Sequence, residues 1–82
     1  MSEQEIFEKV KKIVAETLDI DNPDKITMES CFLQDLGADS LETFDLVYYV
    51  EQEFGRKVPD DLLREIETVG DVVKWLNEEL KN

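Results

Sequence analysis

Three positions in the chain carry the spacing that starts a helix: Ser2 with Glu5, Asp39 with Glu42, and Thr68 with Asp71. In such a capping box the first side chain accepts from the N–H three residues on, and the acidic side chain reaches back to the cap. Each pair precedes apolar residues at helical spacing. After the first come Ile6, Val10, Ile13, Val14 and Leu18, with Phe7 beside them and Lys9, Lys11 and Lys12 on the other side. A helix is predicted from about residue 3 to Leu18. From Asp39 to Phe54 there is neither Gly nor Pro. The stretch LVYYV has the composition of a strand, but its length and flanking charges make it helical, with Gly55 as the stop. Pro59, Asp60 and Asp61 open a short third helix that reaches about Ile66. Val69, Val72, Val73, Leu76 and Leu80 form the stripe of the last one. The fold class is therefore all-α: a four-helix bundle of three longer helices and one short helix. At 82 residues it is one small domain, 1–82, with a modest core.

The connection from Asp19 to Ala38 is long for an unstructured loop, and loops of that length are usually functional or partly ordered. Pro23 and Asn22 mark its start. Ile26, Phe32, Leu33 and Leu36 are expected to pin it to the core.

On a helical wheel with ~100° steps, Leu46, Val47, Val50 and Phe54 form the core face of the second helix. Leu41, Phe44 and Tyr48 lie nearly opposite, although a surface helix needs only one apolar face. Asp45 and Glu51 flank this second stripe, and Asp39 lies just before it. From Ile26 to Gly55 the chain has seven acidic residues and no basic one. An apolar strip with an acidic rim suits a basic, grooved partner. Packing of the same residues against the long loop is the alternative.

The charge balance excludes whole classes of partner. With 9 basic and 21 acidic residues the net charge is −12, which repels nucleic acid and anionic membranes. No apolar run approaches the ~20 residues that span a bilayer, and MSEQEIFEKV is too polar and acidic for a signal peptide. The single cysteine, Cys31, allows no intrachain disulfide. The expectation is a soluble, cytoplasmic monomer.

There is no histidine, so Ser40 lacks the usual base of a nucleophilic serine. No nucleophile–base pair or clustered ligand set is found, and the chain is read as not an enzyme. If Asp39 caps the second helix, the Ser40 hydroxyl is free at the positive end of the helix dipole, where a phosphate ester would be stabilised. If Ser40 is itself the cap, it is an ordinary helix-starting serine. Cys31 is read as a small loop residue, and Trp75 as core or core-edge with no ligand implied. Asp19, Asp21 and Asp24 do not make an EF-hand, because Pro23 stands at position five and Asp24 where the invariant glycine belongs. Loose Ca²⁺ or Mg²⁺ binding along the acidic second helix is a further expectation, with no certain metal site.

The stretch DLGADSLETFDLV, Asp35 to Val47, resembles the attachment motif of acyl carrier proteins. The likeness extends through CFLQDLGADSL, EQEFGRKVPDD and IETV to the closing amphipathic helix, in the family's order and spacing. It implies that Ser40 carries a 4′-phosphopantetheine arm, added from coenzyme A by a phosphopantetheinyl transferase, with acyl groups borne as thioesters for fatty acid synthesis or a specialised acyl or polyketide pathway. It implies that Asp39 serves transferase recognition and that Leu41, Phe44, Asp45, Tyr48 and Glu51 face acyl-transferring and chain-elongating enzymes. It also implies an acyl pocket between the second and third helices, formed by Leu46, Tyr49, Val50, Leu63 and Ile66. Gly37 would let the loop turn into the helix.

Phe44 and Tyr48 are bulkier than the family's usual aliphatics. Arg64 adds a base to a mostly acidic third helix. Tyr49 stands where a small residue is common, and its ring is expected to shorten or redirect the pocket. The alternative is that it leans against the first helix and leaves the pocket open. A peptidyl or aminoacyl carrier is the nearest rival, although GADSL and the charge favour an acyl cargo. An acidic interaction module without a prosthetic group is the other.

Overall fold

The structure, a computed structural model, describes residues 2–81. Four α-helices are present among them: α1 (Glu3–Thr17), α2 (Ser40–Phe54), α3 (Asp60–Glu65) and α4 (Val69–Glu79). A 3₁₀ turn, Pro23–Lys25, lies in the long connection between α1 and α2. All three capping boxes form, with Ser2, Asp39 and Thr68 as the caps. Helix α1 ends on Asp19 at φ 56°, and the Ile20 N–H returns to the Ala15 carbonyl at 2.9 Å. That bond is the six-to-one closure of a Schellman turn.

Helix α1 packs on both α2 and α4. The core joins Ile6, Val10 and Val14 of α1 to Leu46 and Val50 of α2, and to Val69, Val73 and Leu76 of α4. Ile26, Phe32 and Ala38 enter this core from the long loop. Leu36 packs half-buried against it, whereas Leu33 is 71% exposed. Leu33 is thus a correction to the expected set of loop anchors. Residues 32 and 33 point to opposite sides of the loop, and Phe32 takes the inner one.

The loop is fixed by the start of α4. The first N–H groups of a helix have no partner inside it. Here the Val69 N–H donates to the Ser30 carbonyl (3.0 Å) and the Gly70 N–H to the Met28 carbonyl (2.8 Å). The Asp71 N–H donates to Thr68 Oγ1 (3.2 Å), and the Phe32 N–H to the Glu67 carbonyl (3.0 Å). This approach leaves no room at position 70, where a Cβ would sit 2.7 Å from the Met28 oxygen.

Helix α3 is held differently. It has no side-chain cap and no buried residue, and among the described residues it makes no close backbone approach to another helix. Low local contact density of this kind marks the part of a fold that opens most easily.

Two outcomes follow from the α4 junction. Gly70→Ala forces the Met28 carbonyl aside and should cost about 1–3 kcal/mol, as overpacking does, read as a lower thermal midpoint. At Asp71, burial pushes the carboxyl up, but hydrogen bonds from the Glu67 and Thr68 backbone and the Thr68 hydroxyl outweigh it and hold it below its ordinary 3.8. A lowered folded pKa means stability that is complete above the unfolded value and lost as pH falls through the folded one. Asp71→Ala should therefore cost about 1 kcal/mol at neutral pH. Its deficit against the parent should close in acid below pH 3.8, as measured by denaturant melts across pH.

Candidate functional site

The first turn of α2 is built by Asp39. The Glu42 N–H donates to Asp39 Oδ1 at 2.8 Å, and the Asp39 N–H donates to Glu42 Oε1 at 3.2 Å. The Thr43 hydroxyl donates to the Asp39 carbonyl at 2.9 Å. Ser40 is thus the first helical residue and not the cap. Its side chain is exposed, and the hydroxyl makes no hydrogen bond to another described residue. Ahead of it the chain turns at Gly37, φ +70°. A Cβ at Gly37 would meet nothing within 4 Å, so the backbone angle and not space calls for glycine.

The turn before Ser40 is held by its own bonds. The Cys31 N–H donates to Asp35 Oδ2 (2.8 Å), and the Ala38 N–H to the Phe32 carbonyl (2.8 Å). Asp35, carried in the DLGADSL stretch, is a brace of this loop. Partial desolvation, and after it the Asp35 carboxylate, raises the Cys31 thiol above its ordinary value. A raised thiol is a poor nucleophile at neutral pH, as read from the sequence.

Ser40 opens into a groove of about 430 Å³ between the loop and the end of α3, bounded by Phe32, Leu33, Phe44, Leu63 and Ile66. Behind it, between α2 and α3, runs an apolar seam lined by Leu46, Val50, Val58, Leu62 and Trp75, with Val10 and Val14 of α1. Phe32, Thr43 and Ile66 belong to both, so the seam begins where the groove ends. The free space in the seam is about 10 Å³, about one water molecule's worth. The walls are closed on one another and must part to admit anything larger.

The other sequence-derived residues fall into two groups. Leu41 (74%), Phe44 (56%) and Tyr48 (56%) are exposed in a row along α2, with Asp45 exposed beside them. Phe44 also borders the groove shared with Phe32 and Leu33 of the loop, and Leu41, Phe44 and Tyr48 each keep more than half of their surface exposed. Leu46, Val50 and Ile66 line the seam.

Three placements differ from the sequence reading. Leu63 lines the groove beside Ser40, and its neighbour Leu62 takes the seam. One residue on a helix is a ~100° turn, enough to exchange the two. Tyr49 is 51% exposed and lies in an open cleft with Ile13 and Thr17 of α1. Its ring meets the edge of Tyr48, centroids 5.6 Å apart. Tyr49 therefore does not shorten the seam. Glu51 is engaged by the backbone: the Val58 N–H donates to Glu51 Oε2 at 2.7 Å. Among the described residues no three acidic or other ligating side chains come together as a metal site.

A family profile for the phosphopantetheine attachment site matches residues 8–76. The acyl carrier protein of Treponema denticola is 44% identical over 77 residues, covering 94% of this chain and 97% of its own. That of Phenylobacterium zucineum is 49% identical over 76 residues, covering 93% and 95%. The structure of the Enterococcus faecalis acyl carrier protein superposes with a TM-score of 0.78 at 35% identity, over 95% of this chain and 98% of that one.

The chain belongs to the acyl carrier protein family.

Acyl carrier proteins are carriers and not enzymes, and the group they carry their cargo on is phosphopantetheine. The site fits such a group. A serine relieved of capping presents its hydroxyl to solvent, the N–H groups of the helix start lie beside it, and a groove leads away from it. What the sequence did not show is the tie between Glu51 and Val58, which anchors the link from α2 to α3. Glu51→Ala should lower stability by about 1.5 kcal/mol, the scale of a hydrogen bond to a charged acceptor. Hydrogen exchange should show the Val58 amide losing protection, while Ser40 is still modified.

Proposed function

We propose that this acyl carrier protein holds its phosphopantetheine on Ser40 and carries aliphatic acyl groups for fatty acid synthesis or a related acyl pathway, as one carrier domain over residues 1–82. The observation behind the choice of cargo is the seam: a closed, apolar packing space that shares Phe32, Thr43 and Ile66 with the groove containing Ser40. An alkyl chain gains by leaving water for such a space, about 25 cal/mol per Å² buried. An aminoacyl or peptidyl cargo would have to bury polar groups there without partners. When bound, the arm supplies a thiol for thioester formation. The protein's own share is to present and shelter. The exposed Ser40 hydroxyl gives up its proton and bonds to the phosphorus of the phosphopantetheine half of coenzyme A, as the pyrophosphate bond breaks and adenosine 3′,5′-bisphosphate leaves. The helix start stabilises the charge of the ester, and α3 moves to let the seam take the chain.

In this reading Asp39 has two roles. One carboxylate oxygen caps α2, and the other remains for recognition by the transferase. Leu41, Phe44 and Tyr48 form the anchor strip for the transferase and for acyl-transferring enzymes with basic surfaces, with Asp45 at its rim. Glu51 contributes to the field of that face while holding the α2–α3 link.

Two measurements check this. Holo-protein loaded with an aliphatic acyl group should melt at a higher temperature than holo-protein, because a chain lodged in the native core stabilises it. Loading with an aminoacyl group should give no such gain, and an equal gain from both would favour the peptidyl carrier. Separately, Asp45→Lys should slow Ser40 modification several-fold at low salt through a weaker encounter. The difference from the parent should shrink as the Debye length falls toward ~3 Å near 1 M salt. Equal rates at every salt concentration would move the docking face elsewhere.

A further inference from the structure

The seam has a direction. Phe32, Thr43 and Ile66 stand at its mouth, since they also line the groove of Ser40. From Thr43 to Val50 along α2 is seven residues, about 10 Å at 1.5 Å per residue. Helix α1 runs opposite to α2: Lys9 reaches Glu53 at 3.3 Å, while Ile13 and Thr17 share a cleft with Tyr49. Val10, which lies beyond Val14 in this sense, is therefore at the far end, level with Val50. Helix α4 starts beside the loop near the mouth, where Thr68 pairs with Cys31, so Trp75 lies two turns further in. The loop after α2 brings Val58 to the same end.

Trp75 differs from the other residues there. Val10, Val50 and Val58 are buried, whereas Trp75 is half-buried. One part of its indole faces the seam and another faces solvent. It is also the only tryptophan in the chain.

We infer that the Trp75 indole closes the far end of the acyl seam and sets the length of chain the protein can shelter. The inference rests on the carrier reading and deepens it. A chain short of the indole gains burial with every carbon. A chain that reaches it must displace a large, rigid ring or turn back toward solvent, because interiors leave few voids beyond the size of a water. The role expected of Tyr49 is thus filled by another aromatic on another helix.

The test uses holo-protein loaded with acyl chains of increasing length, each confirmed by intact mass. Two series are read: the melting temperature, and Trp75 fluorescence with chains brominated at the terminal carbon, since bromine quenches an indole on contact. The melting temperature should climb with length and then level off, and quenching should appear at the length where it levels. In Trp75→Leu the plateau should move to longer chains. If the melting temperature climbs and levels but no length quenches Trp75, or the plateau is unmoved in Trp75→Leu, the end of the seam lies elsewhere and the carrier reading survives. If no chain changes the melting temperature, the seam does not take the acyl group and the inference fails. If no chain can be loaded at all, the carrier reading fails with it.

Discussion

The carboxylate of Asp39 decides what the rest of the molecule can do. By accepting the Glu42 N–H at 2.8 Å it satisfies the helix start that a serine would otherwise serve, and it leaves the next hydroxyl with no structural duty. The surroundings of that released group are built by the same stretch of chain. The left-handed Gly37 brings the chain in sharply, the helix start offers partial positive charge, and a groove lies beside the hydroxyl. The cap also fixes the rotation of α2. That rotation sends Leu46, Val47 and Val50 inward and leaves Leu41, Phe44 and Tyr48 facing out.

The walls of the seam are unequal. On one side, α1 is clamped between α2 and α4, and the loop is sewn to the start of α4 by three backbone hydrogen bonds. On the other, α3 is six residues long, buries none of them and is tied back through the bond from Val58 to Glu51. The wall formed by α3 is the less firmly held of the two. A net charge of −12 works against compactness through self-repulsion. The exposed ion pairs, Lys9 with Glu53 and Lys81 with Glu78, each offset little of it.

The helices were legible because their signals are local. A capping box spans four residues, and the boxes at Ser2 and Thr68 follow from spacing alone, whereas spacing left Asp39 and Ser40 as rival caps of α2 and the structure decides for Asp39. The two faces of α2 were legible for the same reason, since a wheel needs only the sequence of one helix. What depended on a second element was not. For Tyr49 the wheel of α2 left two places open, the pocket and the side of α1, and only the position of α1 decides for the second. Leu62 and Leu63 differ only in the rotation of a six-residue helix whose start has no side-chain cap to set it. Leu33 and Phe32 differ in which side of a loop faces inward. Gly70 is required by the Met28 carbonyl, forty-two residues away, and no pattern of residues around position 70 announces that contact. The motif singled out Ser40 in the sequence, and the boundary that groove and seam share at Phe32, Thr43 and Ile66 became visible only in three dimensions.

The account stands or falls on the release of one hydroxyl. The most direct measurement is intact and fragment mass after incubation with coenzyme A and a phosphopantetheinyl transferase, on the parent and on Ser40→Ala. The parent should gain a single phosphopantetheine, located within Asp35–Val47, and the variant should keep its helical circular dichroism and gain nothing. A modified Ser40→Ala, or an arm found on Ser2 or Ser30, would contradict the account.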